Sequence, residues 1–146
     1  MGIYIRNLIG VAFILFPPLI FCQTNSDVYC FRSASESGKS SDFEIHTYYD
    51  QISKWSGGFV RYRNSRQPIT VVFRDRLEEE LSKDRPYQVT TTWLEIRGKK
   101  ITGEYEMMSQ GAIIYSMTYT NYRNSKKTAF LFDPNVSASI EFGCEW

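Results

Sequence analysis

One histidine stands in the whole chain of 146 residues, so imidazole chemistry of any kind would have to run through His46. It lies in Phe43-Glu44-Ile45-His46-Thr47-Tyr48, a run that alternates with period two. As a strand, this run puts Glu44, His46 and Tyr48 on one face, where the carboxylate could orient the ring for general base work. Nucleophilic catalysis needs a hydroxyl or thiol brought to that ring, and no sequence context marks one. His46 is therefore expected to be an ordinary solvent-facing side chain. Glu104 and Glu106 also share a strand face, on either side of Tyr105. Paired acids serve glycoside cleavage when they flank a sugar, but on an exposed strand they are simply solvated. A hydrolase working through carboxylates or His46 is the remotest alternative, and no catalytic residue is assigned.

Metal chemistry has no better footing. There is no second histidine and no C-x-x-C, and the loops lack the density of Asp and Asn that an oxygen-ligated calcium needs. No metal and no cofactor are expected. The acidic run Glu78-Glu79-Glu80 reads as a solvated face.

Three cysteines are present, Cys22, Cys30 and Cys144. The first closes the segment MGIYIRNLIGVAFILFPPLIFC, in which Arg6 precedes an apolar run and Pro17-Pro18 interrupts it. This is the layout of a secretory signal, with cleavage expected near Cys22 or Gln23. The uncharged stretch from Leu8 to Cys22 has 15 residues and two prolines, whereas a spanning helix takes about 20 apolar residues. No permanent membrane span is expected. Lipidation of Cys22 is the less favoured alternative, because bulky Phe21 precedes it. The reading is thus a signal peptide at 1–22, then a single exported domain at 23–146, periplasmic or secreted. Cys30 and Cys144, one near each end of the exported part, are expected to pair in an oxidising compartment. Asn135-Val136-Ser137 is a glycosylation sequon that matters only in a eukaryotic secretory route.

Formal net charge is +1, and with Arg6 set aside the chain balances, which gives no support to nucleic-acid binding. Basic and aromatic residues nevertheless gather in two short stretches, Tyr62-Arg63-Asn64-Ser65-Arg66 and Tyr122-Arg123-Asn124-Ser125-Lys126, which also look like turns. Arg and Tyr are enriched where proteins bind proteins. Tyr62, Arg63, Arg66, Tyr122, Arg123 and Lys126 are the candidate partner-binding residues, suited to an acidic protein.

The elements that must carry these residues are strands. Nine segments are rich in β-branched and aromatic residues and bounded by Gly, Asn, Ser or Pro: 28–35, 43–49, 59–63, 69–74, 87–97, 100–109, 112–122, 128–133 and 137–144. Their connections are short enough for hairpins and too short for crossover helices. An all-β antiparallel meander follows, closing into a small barrel of eight or nine strands, with a two-layer sandwich as the alternative. One short capping helix is predicted near 76–84, after the Asp75 cap and before Pro86. Ala138, Ile140, Phe142 and Cys144 should face the core, and Phe130, Phe132, Tyr115 and Met117 should fill the interior.

The function expected from these features is that of an exported, non-catalytic protein-interaction factor of inhibitor or immunity type. Carriage of a small apolar ligand inside the barrel is the alternative; a cavity above about 300 Å³ would favour it. In protein recovered from the exported fraction, non-reducing mass spectrometry should show the Cys30 and Cys144 peptides linked. Two alkylatable thiols would contradict this.

Overall fold

The structure, a computed structural model, describes residues 24–34 and 41–146. The signal segment, Cys22 and its lipidation alternative lie outside those residues. Eight strands form a closed antiparallel meander: β1 Thr24–Ser33, β2 Phe43–Asp50, β3 Ser56–Tyr62, β4 Ile69–Glu79, β5 Gln88–Arg97, β6 Lys100–Gln110, β7 Ile113–Asn121 and β8 Lys127–Phe132. A separate hairpin, β9 Ser137–Ser139 with β10 Gly143–Glu145, lies outside the barrel. The barrel reading holds over the sandwich. Strand alternation accounts for it, since each strand turns one apolar row inward and closure removes the open edges.

Phe43 is the centre of the interior. Its ring lies 5.3 Å from that of Phe31, 5.5 Å from Tyr62, 5.7 Å from Tyr105 and 4.7 Å from Phe130, the last edge to face. Ile45, Val60, Val71, Trp93 and Met117 complete the buried cluster. This aromatic plug fills one end of the barrel.

Three expectations need correction. Residues 75–79 continue β4, and no helix occurs among the described residues. A two-turn helix is marginal alone, whereas here each residue from Asp75 to Glu79 pairs with β5 between Gln88 and Thr92. Leu77 and Leu81, four residues apart and so on one face of the predicted helix, are 57% and 59% exposed. Next, 137–144 is not one strand but a hairpin turning at 140–142, so Ile140 and Phe142 are exposed rather than in the core. Finally, a register shift between Met108 and Ser109 sets Ser109 opposite Ile114 and leaves Tyr115 as the extra residue of the bulge. Ile114 packs on the core in its place, while Tyr115 is exposed.

The predicted disulfide is formed, with Cα atoms 6.0 Å apart and the cysteines 114 positions apart in the sequence. Loop closure of that length is worth about 4–5 kcal/mol in chain entropy. It ties β1 to the outer hairpin, not to a barrel strand. Cys30 points outward, since it is flanked by the inward residues Tyr29 and Phe31.

Truncating the hub should be costly. Phe43→Ala is expected to lose about 3–5 kcal/mol and Phe43→Leu clearly less, as read by urea unfolding. Equal small losses would show that the plug is not close-packed.

Candidate functional site

Meander topology sorts the connections between two ends. Those of β1–β2, β3–β4, β5–β6 and β7–β8 lie at one end, here the tip end; those of β2–β3, β4–β5 and β6–β7 lie at the other, the mouth. The two Arg- and Tyr-rich stretches are the β3–β4 and β7–β8 connections, so both lie at the tip end.

Their side chains divide between surface and framework. Tyr62 ends β3 half-buried, its hydroxyl 3.1 Å from that of Tyr105. Arg63 donates to Asp42 Oδ2 at 3.4 Å and lies over the Trp146 ring. The Tyr122 hydroxyl donates to Glu104 Oε2 at 2.7 Å, and Arg74 pairs with the same carboxylate. Glu104 is thus a surface ion-pair partner. Arg66, Arg123 and Lys126 are exposed and make no ion pair among the described residues.

His46 is not solvent-facing, contrary to expectation. It projects outward from β2 yet is 3% exposed, its ring stacked on Phe59 at 4.3 Å and its Nε2 3.2 Å from Glu44 Oε1. Glu44 also accepts from the Cys144 backbone N–H at 2.6 Å and pairs with Arg61. Gly143 permits this approach: at φ 76° it adopts a backbone that side chains disfavour, and a Cβ there would run into the Glu44 carboxylate. The Glu44–His46 pair therefore anchors the C-terminal hairpin to the barrel wall. No hydroxyl or thiol meets the imidazole among the described residues, and its Nδ1 has no partner there.

Inside the tip end sits a buried carboxylate that strand pattern alone did not reveal. Glu95 is 1% exposed and faces inward from β5, opposite Val71. Thr102 Oγ1 donates to its Oε1 at 2.6 Å, Arg97 Nε at 2.9 Å and the Tyr119 hydroxyl at 3.1 Å; the Tyr105 hydroxyl donates to Oε2 at 3.0 Å. Gly103, paired with Glu95 across the ladder, has no side chain to block the Tyr119 hydroxyl, which a Cβ would meet at 2.8 Å. Burial pushes the Glu95 carboxyl up, but the donated hydrogen bonds outweigh it and hold the group below its ordinary range. Burial and the nearby carboxylate raise both phenols, Tyr119 to about 12. Every group is satisfied, so the network locks the barrel end and offers no acid or base.

The mouth differs. The inward rows of β1, β2, β4, β5 and β6 surround a cavity of about 470 Å³ there, walled by Tyr29, Thr47, Phe73, Thr91, Trp93 and Met107. Tyr48, Tyr49 and Ser56 narrow its rim, where Asp27, Lys54 and Arg76 supply charge. Phe73 meets Trp93 edge to face at 5.7 Å, and the Trp93 indole N–H is buried without an acceptor among the described residues. A hollow of about 650 Å³ also opens at the tip end, but polar turn residues frame it, among them Asp42, Asn64, Ser65 and Gln67.

Comparison with protein-family models, with curated proteins and with solved structures finds no match for the chain. Among the described residues no cluster of His, Cys, Asp and Glu is arranged to hold a metal, and no helix is long and apolar enough to cross a membrane.

Replacing the buried acid tests the lock. Glu95→Gln should cost about 2–4 kcal/mol at neutral pH. Because the folded protein holds this carboxyl below its unfolded value, its contribution is full above the ordinary Glu range near 4.3 and fades as pH falls through the lower folded value. Urea unfolding should accordingly show the variant and the parent converging in acid. A gap that stays constant with pH would contradict this role for the carboxylate.

Proposed function

We propose that this protein is an exported, non-catalytic binding protein whose mouth cavity takes a small, largely apolar ligand. The observation that carries the reading is the cavity of about 470 Å³ walled by Tyr29, Phe73, Trp93 and Met107 together with the hydroxylated Thr47 and Thr91. Ligand sites fall in the range of about 300–1,000 Å³, predominantly apolar with a few placed polar groups. An eight-stranded barrel has room for one such molecule if its own side chains do not fill it. Here they fill only the tip end. Export, taken from the signal layout, agrees with the Cys30–Cys144 disulfide.

Acid–base catalysis gains nothing from the geometry. Glu95 is saturated with donors, Glu104 is ion-paired, and Glu44 and His46 fasten the C-terminal hairpin.

A second reading, an inhibitor-type contact with an acidic protein, draws on the shared end of the two basic tips. Arg66, Arg123 and Lys126 would be its charged contacts. The framework roles of Tyr62, Arg63 and Tyr122 reduce what that surface can offer. Simultaneous Ala replacement of Arg63, Arg66 and Arg123 should abolish capture of an acidic protein from the extracytoplasmic fraction if this reading holds.

The cavity reading is tested with the apolar dye N-phenylnaphthylamine, whose fluorescence rises on leaving water. The parent protein should bind it saturably. Thr91→Trp, which places an indole in the cavity, should weaken binding by about tenfold or more with little change in melting temperature. The triple tip variant should bind as the parent does. An absence of dye binding, or full binding by Thr91→Trp, would overturn the proposal.

A further inference from the structure

Three hollows adjoin one another at the tip end. One, of about 340 Å³, lies where the β3–β4 connection meets the C-terminal hairpin, and Arg61, Arg63 and Arg66 line it beside Ser65 and Trp146. The hollow of about 650 Å³ shares Tyr62 and Ser65 with it and reaches Arg97. Arg97 is shared in turn with a third, of about 520 Å³, to which Lys100 and Arg123 contribute from the β5–β6 and β7–β8 connections. Six cations thus line adjoining hollows in a chain whose formal net charge is only +1.

The carboxylates among them lie deep. Asp42, Glu44 and Glu95 are 4%, 3% and 1% exposed. Each holds a guanidinium from below: Glu44 pairs with Arg61, Asp42 Oδ2 accepts from Arg63 at 3.4 Å, and Glu95 Oε1 accepts from Arg97 Nε at 2.9 Å. Arg97 spends only its Nε–H there, so the N–H groups of its two outer nitrogens have no partner among the described residues. A guanidinium already held in place loses less freedom on meeting an anion than a loose one. Beside these anchored groups stand Arg66, Lys100 and Arg123, which are exposed and make no ion pair among the described residues.

Between the cations the walls are polar and uncharged, with Asn64, Gln67 and Thr70 in the largest hollow. Guanidinium forks suit carboxylate and sulfate groups, and amides suit hydroxyls. A chain that alternates acid groups with hydroxyls matches both. A protein partner needs about 800 Å² of close-fitting surface on its own side, which hollows parted by turns do not present. Nucleic acid needs open aromatic faces for its bases. Here Tyr62 and Tyr119 pack on the core, and Arg32 and Arg63 lie over the Trp146 ring.

We propose that the tip end binds an acidic polysaccharide, with one uronate or sulfate group at Arg61, Arg63 and Arg66 and another at Arg97, Lys100 and Arg123. Sugar hydroxyls between them meet Asn64 and Gln67. This site is separate from the mouth cavity and does not depend on what that cavity holds.

Titration calorimetry with oligogalacturonate, whose acid groups are carboxylates, and with a heparin-derived oligosaccharide, rich in sulfate, provides the test. At least one should bind, the tighter of the two naming the acid group, and binding should weaken as salt rises. Arg66→Ala with Arg123→Ala should weaken it by about tenfold or more. Both side chains are exposed and unpaired, so melting temperature and dye binding should survive. Lys126→Ala with Lys127→Ala removes as much charge from the same end but outside these hollows, and should leave affinity nearly unchanged. Gln67→Ala alters no charge and should weaken binding by about threefold or more. Failure of both glycans to bind overturns the proposal. So does an equal loss in the two double variants, which would mean diffuse attraction, or poly-glutamate or single-stranded DNA binding as tightly as the glycans. The poly-glutamate outcome would favour an acidic protein instead.

Discussion

Three residue pairs close the barrel: Phe31 with Phe132, Arg32 with Leu131 and Ser33 with Phe130. Without them the eight strands are an open sheet with two edges and an exposed apolar face. The seam is short because β8 is six residues long, and it lies wholly toward the tip end. Much of the remaining architecture reinforces it. The Ala34 N–H donates to the Ala129 carbonyl and the Asp133 N–H to the Cys30 carbonyl, extending the ladder by a bond at each side. Arg32 pairs with Asp133 and Asp42 and lies over Trp146. The C-terminal hairpin, held by the disulfide and by Glu44, therefore fastens to the strand that needs a partner most. The free energy assigned to the disulfide is spent on closure.

A seam confined to one end polarises the molecule. Beside it the interior is crowded with Phe31, Phe43, Phe130 and Tyr105, and the saturated Glu95 network seals the space behind them. Toward the mouth β1 pairs with β2 alone, and β7 runs past the start of its pairing with β8. No ladder between β1 and β8 crosses that part of the wall. The cavity occupies this half. A close-packed half and an open half are thus separated along one axis, which allows a small protein to keep an apolar opening without giving up its fold.

The alternation of Phe43, Ile45 and Thr47 against Glu44, His46 and Tyr48 was legible from spacing, and so was the meander, because period two and short turns leave few other arrangements. The disulfide was legible from cysteine number and the signal-like layout of the first 22 residues. What was not legible came from register and from distant chain. One extra residue at Tyr115 reversed a face, and pairing with β5 drew 75–79 into a strand against its local helical pattern. His46 was misjudged because Phe59 of β3 stacks on its ring and Glu44 beside it is engaged by the C-terminal hairpin, about 100 residues later, contacts that alternation within β2 does not show. Glu95 carried a weak signal, lying between the apolar residues Leu94 and Ile96. Alternation around it marks the inward row that includes Trp93, where an acid needs several donors, and those donors come from β6 and β7. The cavity could not be foreseen, since it depends on which inward residues stop short of one another.

A sealed tip half and a mouth half proposed to accept an apolar molecule can be told apart directly. Two adjacent methionines on β6 report on the mouth half from opposite faces: Met107 points into the cavity and Met108 away from it. Methyl-labelled methionine spectra recorded during titration with N-phenylnaphthylamine would separate the two. A saturable shift of the Met107 methyl is expected, with Met108 nearly unmoved. A shift of Met108 alone, or of neither, would contradict it.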